Sequence, residues 1–120
     1  MDDERFIITV KRIYDEPTAN DGFRVLVDRL WPRGVSKEAA QLDLWLGDIA
    51  PSPSLRKWFK HDPACWEQFV DRYFMELDER PEIITDLFQQ ATSRHITLLY
   101  AAKEPHHNHA NALKQYLQGA

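Results

Sequence analysis

Residues 96–102 (ITLLYAA) are apolar at nearly every position, and the run is strand-sized rather than helix-sized. A strand without polar alternate positions is buried on both faces if it lies centrally in a parallel sheet, with helices covering both sides. The rest of the chain must therefore supply flanking strands and those helices.

Two earlier runs are read as the partner strands. Residues 6–14 (FIITVKRIY) and 24–31 (RVLVDRLW) are rich in β-branched and aromatic side chains. Between them, residues 15–23 carry Pro17, Asn20, Asp21 and Gly22, a turn-forming composition without helical period. Nine residues are short for a crossover between parallel strands, which usually takes a dozen or more, so the relative direction of these two strands stays open.

The middle of the chain reads as helical. Ser36 can cap a short helix reaching Gln41, and Leu42, Leu44, Trp45, Leu46 and Ile49 then form a dense apolar turn. Ser52-Pro53 and Asp62-Pro63 are pairs of a capping residue and a first-turn proline. After the second pair, Trp66, Phe69, Val70, Tyr73, Phe74 and Leu77 fall on one helical face. Pro81 interrupts, and Ile83, Ile84, Leu87, Phe88 and Ala91 continue with the same period. A last helix starts near Asn108 and buries Ala110, Leu113 and Leu117. The order ββααααβα predicts an α/β fold: one domain, 1–120, with a small, mostly parallel sheet of at least three strands packed by helices.

Composition limits the function classes. The chain has 120 residues, is 43% hydrophobic and 28% charged, and has no apolar run of membrane-spanning length. Its acidic start, Met1-Asp2-Asp3-Glu4-Arg5, lacks the apolar segment of a secretory signal, so a cytoplasmic location is expected. Cys65 is the only cysteine, which excludes an internal disulfide and any multi-cysteine zinc site. With four glycines and no phosphate-loop pattern, a standard nucleotide-loop enzyme is not expected. No cofactor is expected either.

The net charge of −4 conceals a segregation. Residues 24–60 hold seven cations and four acids, and 94–120 three and one, whereas 61–93 hold two and eight. A compact anion suits that distribution better than a nucleic-acid backbone, which the acidic helices would repel.

The chemistry-bearing residues gather in two stretches, each following an apolar run. The first is Asp28-Arg29-Leu30-Trp31-Pro32-Arg33-Gly34 and the second Lys103-Glu104-Pro105-His106-His107-Asn108-His109. Open α/β sheets bind ligands outside the carboxyl ends of their strands, where both stretches would lie. Strand alternation sends Asp28 and Arg29 to opposite faces. Arg29 and Arg33 can fork onto a carboxylate or phosphate, Arg56 adds a cation from the helix after Ser52, and Lys103 leaves the last strand toward the same crevice. Asn108 opens a helix whose free N–H groups favour anions. His107 and His109 are the candidate catalytic groups for proton transfer, with Asp28 as orienter. His-x-His also occurs in metal sites, but the only remote further ligand is His61, so no metal site is assigned.

These residues resemble a known family. Val10 through Asp15, Arg24 through Val35, Leu42 through Trp45, Ile49 through Ser52, Trp58 through Pro63 and Leu98 through Ala110 together resemble the YeaO-like branch of the bacterial domain-of-unknown-function 488 family. The resemblance spans nearly the whole chain and implies a small cytosolic α/β protein with a polar cluster at one sheet edge. The wider family usually has Cys-His-Arg at the start of the last helix; this chain has Asn108-His109-Ala110, which retains the histidine without the cysteine. A methyltransferase label sometimes attached to the family finds no glycine-rich cofactor loop here.

The residues thus point first to a site for a small anionic or phosphorylated ligand, with or without a reaction on it. The alternatives are a nucleic-acid or protein-partner binding module and an accessory protein whose polar cluster only holds the fold together. Oligomeric state has no signature in the sequence.

Overall fold

The computed structural model describes residues 6–60 and 62–119, so His61 lies outside the described residues. Four strands form one sheet: β1 (Ile7–Arg12), β2 (Phe23–Leu26), β3 (Leu44–Trp45) and β4 (His95–Tyr100), in the order β1-β4-β2-β3 and all parallel. Five α-helices accompany them: α1 (Lys37–Ala40), α2 (Pro53–Phe59), α3 (Trp66–Asp78), α4 (Pro81–Gln90) and α5 (His109–Gly119). This is the small parallel α/β fold that the periodicity predicts.

The apolar run that becomes β4 takes the central place. It pairs with β1 from Ile7↔His95 to Arg12↔Tyr100 and with β2 from Phe23↔Ile96 to Leu26↔Leu99. Ile96, Leu98 and Tyr100 join the main core with Val25, Val27, Phe69, Tyr73 and Leu113, while Leu99 faces a smaller core with Ile13, Leu26 and Ala40. Both faces are buried, which is why the run has no polar alternation.

The first two strands run in the same direction, which settles the open point of the topology. Residues 13–22 bridge them with only a short 3-10 turn, Ala19–Asp21, although β4 lies between β1 and β2. Gly22 closes that connection at φ 68°, where a Cβ would overlap the carbonyl oxygen of His95.

Asp21 anchors the connection. Its carboxylate accepts from the guanidinium of Arg24, from Lys11 Nζ and from the backbone N–H and hydroxyl of Thr18. Burial works against its charge, but the hydrogen bonds from Thr18, Lys11 and Arg24 outweigh it and lower the carboxyl pKa to about 2. Arg24, buried itself, also donates to the carbonyls of Ala40 and Gln41 at the end of α1. Composition had marked this stretch as a turn; its ion network escaped the sequence reading.

Two boundaries differ from expectation. The strand expected over 24–31 stops at Leu26, because the Asp28 side chain takes the N–H of Ala101 just past the ladder and Pro32 has no donor to offer. The apolar turn expected over 42–50 contains the short edge strand β3, held by Leu44 and Trp45 beside Val25 and Leu26. The helix starts match the capping signals: Ser36 Oγ accepts from Ala39, Ser52 Oγ from Leu55, and Asp62 from Ala64.

Candidate functional site

β2 and β4 are neighbours in a parallel sheet, so the loops that follow them emerge at the same edge. Val27 still bonds β4 through its N–H to Leu99 O, and Asp28 follows immediately. Ala101 N–H donates to Asp28 Oδ2 at 3.0 Å, tying the two strand ends together.

α5 reaches the same edge. His109, its first residue, places Nε2 2.9 Å from the carbonyl of Val27 and 3.2 Å from Asp28 Oδ1. A carbonyl only accepts, so that bond puts the ring proton on Nε2. Oδ1 is left buried without a hydrogen bond. Tyr73 packs its ring edge-on to the imidazole, at 6.5 Å between centroids, and donates its hydroxyl to Ile49 O at 2.7 Å. Burial raises the Tyr73 pKa far above the ordinary phenol range, so the hydroxyl remains a donor.

A cavity of about 440 Å³ opens beside this pair. Asp28 and His109 form one part of its lining, Arg56 and Lys57 of α2 another, and Phe69, Pro51 and Pro53 its apolar surface. Arg56 and Lys57 are exposed, and neither side chain has a hydrogen-bond or ion-pair partner among the described residues. The volume falls within the roughly 300–1,000 Å³ of small-molecule sites.

Arg29 supports the cavity more than it lines it. Its Nη2 donates to Ala50 O at 3.2 Å and reaches Pro51 O at 3.4 Å, fixing the turn before α2, while Nη1 lies 3.7 Å from Asp48. Its Nε is buried without a partner. The opposite-face expectation for Asp28 and Arg29 fails because the strand has already ended, and both residues border one small recess of about 40 Å³ with Arg56 and His109.

The structure does not bring every expected residue to this cavity. Arg33 is exposed in its loop and contributes its carbonyl to Tyr14 Oη at 2.8 Å. Lys103 is exposed just past β4 and is absent from the lining. His107 turns to a separate shallow depression, its ring edge-on to Trp66 at 5.2 Å. Asn108 is fully buried and spends both ends of its amide locally: Nδ2 donates to Glu104 O and Oδ1 caps Asn111 N–H.

The helix start is also less free than the sequence suggests. Glu104 Oε2 accepts the N–H groups of His106 and His107, at 2.6 and 3.0 Å, and these bonds lower the Glu104 pKa. The chain thus provides its own anion there, and the lysine and arginine side chains that line the cavity, Arg56 and Lys57, lie on α2.

Sequence reasoning missed three contributors. Phe69, part of the apolar face of α3, is buried in the core and also lines the cavity. Lys57 is an exposed helix lysine with no sequence signal to set it apart from the others. Arg12 donates from Nε to Ala102 O and from Nη2 to Ala101 O, so it holds the loop that forms part of the cavity wall. No sequence signal connects β1 with that loop until the strand order is known.

Among the described residues, no group of three or more His, Cys, Asp and Glu side chains is placed to hold a metal ion. No helix among them is long and apolar enough to cross a membrane.

An all-parallel four-stranded α/β fold with an Asp-His pair and a cationic cavity at its carboxyl edge is the class that these elements define. The chain belongs to the DUF488-N3i family, described as the inactive DUF488-N3 subclade, whose profile matches residues 7–120. It is similar to the uncharacterised protein YeaO of Escherichia coli (strain K12), with 40% identity over 92% of this chain and 96% of that one. The uncharacterised protein Rv3073c of Mycobacterium tuberculosis (strain H37Rv) is 35% identical over 93% of this chain and 94% of its own length. No solved structure matches the chain.

Proposed function

We propose that this protein binds a small anionic or phosphorylated ligand in the cavity beside Asp28 and His109, and that it acts as a binding module rather than by bond chemistry. The observation that carries the reading is the pair of cations, Arg56 and Lys57, without side-chain partners among the described residues, on the wall of a cavity that also holds His109. Guanidinium and ammonium groups without internal partners are available to an oxyanion, and the guanidinium can meet it with two parallel donors.

Binding without catalysis accords with the cavity's lining and with the family description. No serine, threonine or cysteine lines the cavity, and His109 is tied through Nε2 to a backbone carbonyl. The family carries the description of an inactive subclade. His109 and Asp28 then order the cavity wall, Arg29 holds the turn that leads into α2, and Arg56 and Lys57 meet the anion. A cytoplasmic location suits a ligand of this kind.

The test is thermal unfolding with inorganic phosphate against chloride at equal ionic strength. A ligand that binds only the folded state raises the unfolding temperature with concentration. A rise with phosphate that disappears in Arg56→Gln/Lys57→Gln supports the site. Equal curves in both salts remove it.

A further inference from the structure

The cavity has two chemically opposed ends, and a bare oxyanion satisfies only one of them. At the α2 end Arg56 and Lys57 are cations without side-chain partners among the described residues. At the sheet end Asp28 presents a carboxylate, and like charge repels an anion brought against it. That carboxylate has acceptor capacity to spare. Oδ1 is buried 3.2 Å from His109 Nε2 without a hydrogen bond, whereas Oδ2 receives only the Ala101 N–H and keeps a free lone pair, and the side chain is 17% exposed. Each carboxylate oxygen can accept about two hydrogen bonds.

Resting on the anion-binding reading above, we propose that the ligand is a phosphate monoester of a small polyol. Its phosphate lies against Arg56 and Lys57, and a hydroxyl on its carbon chain donates to the Asp28 carboxylate.

Three observations select a neutral hydroxyl at the sheet end. The first is the carboxylate's need for a donor. The second is the company it keeps: Arg29 and Arg56 border the same recess, so an ammonium placed there would meet other cations. The third is the loss of nearby acceptors, because the carbonyls of Ala101 and Ala102 already receive Arg12 and Val27 O already receives His109. An ammonium has three protons to place and would find one carboxylate for them, whereas a hydroxyl needs only one acceptor. The size agrees as well. About 440 Å³ accommodates a carbon chain beyond the phosphate, and Phe69, Pro51 and Pro53 give its C–H face an apolar wall.

The experiment compares three phosphate monoesters by calorimetry on the intact chain. Glycerol 3-phosphate and n-propyl phosphate share the anion and the chain length and differ in the hydroxyls; O-phosphoethanolamine replaces them with an ammonium. A site built to receive a hydroxyl rejects an analogue lacking it. Glycerol 3-phosphate is expected to bind about tenfold more tightly than the other two, with the preference shrinking in Asp28→Asn. Equal or reversed affinities overturn the polyol assignment and leave anion binding standing. Absence of binding by all three overturns both. Because the comparison is among ligands of the unaltered protein, the result holds even if Asp28→Asn folds poorly.

Discussion

His109 Nε2 lies 2.9 Å from Val27 O and 3.2 Å from Asp28 Oδ1, so the first residue of the last helix is fastened to the end of a strand from the first quarter of the chain. The fastening closes the carboxyl edge of the sheet: Asp28 holds Ala101, and His109 holds Val27. His109→Ala removes a hydrogen bond to a partly buried carbonyl and is expected to cost about 1–2 kcal/mol. Chemical denaturation checks this; a lower midpoint with an unchanged slope is the expected pattern. An unchanged midpoint would show that the contact contributes nothing.

Asp21 gives the protein an acid-sensitive element away from the cavity. Its folded pKa, about 2, is below the ordinary value of 3.8. The group therefore stabilises the fold fully above the unfolded value, and the contribution is lost as pH falls from about 4 toward 2. The shift corresponds to about 2 kcal/mol. Asp21→Asn should flatten the acid limb of a stability profile over that interval. It should also cost about 3 kcal/mol at neutral pH, since Arg24 keeps a buried charge without its counterion.

Gly22 and Gly34 both have positive φ, yet they should respond differently to alanine. At Gly22 a Cβ overlaps the His95 backbone, which belongs to the central strand and cannot yield, so Gly22→Ala combines strain with a clash and should cost more than about 3 kcal/mol. At Gly34 nothing lies within 4 Å of the added atom, leaving only the conformational cost of about 1–2 kcal/mol. Similar melting temperatures for the two variants would contradict the close approach at Gly22.

Phe69→Ala tests the double placement of that ring. Phe69 is 1% exposed and stacks on Phe59 at 4.2 Å between centroids, and truncation of such an aromatic should cost about 3–5 kcal/mol. A loss below about 1 kcal/mol in a denaturant titration would show that the cavity side of the ring is effectively open.

The fold was legible where periodicity is long or continuous. The apolar run of β4 fixed a central parallel strand, and the stripe from Trp66 to Leu77 fixed α3. Strand ends were less legible, because alternation continues through Asp28 and Arg29 while the backbone ladder does not. The convergence of Asp28 with His109 followed from both lying after parallel strands. Individual side-chain directions did not follow. Arg33, Lys103 and His107 have the right chemistry and the right edge, but loop geometry turns them elsewhere, whereas Lys57 reaches the cavity through helix phase and Arg12 braces its wall through strand order.

Arg56 and Lys57 should separate binding from stability. Both are exposed and make no internal side-chain bond among the described residues, so Arg56→Gln/Lys57→Gln should change unfolding free energy by no more than about 0.5 kcal/mol. The same change removes the cations that meet the anion. Phosphate-dependent stabilisation should therefore vanish while the melting temperature in chloride stays where it was. His109→Ala should give the complementary pattern: a lower melting temperature in chloride, with part of the phosphate response retained through the α2 cations. If the double variant instead keeps the full phosphate response, the anion sits elsewhere on the molecule, and the cavity beside Asp28 and His109 is only the seam that joins α5 to the sheet.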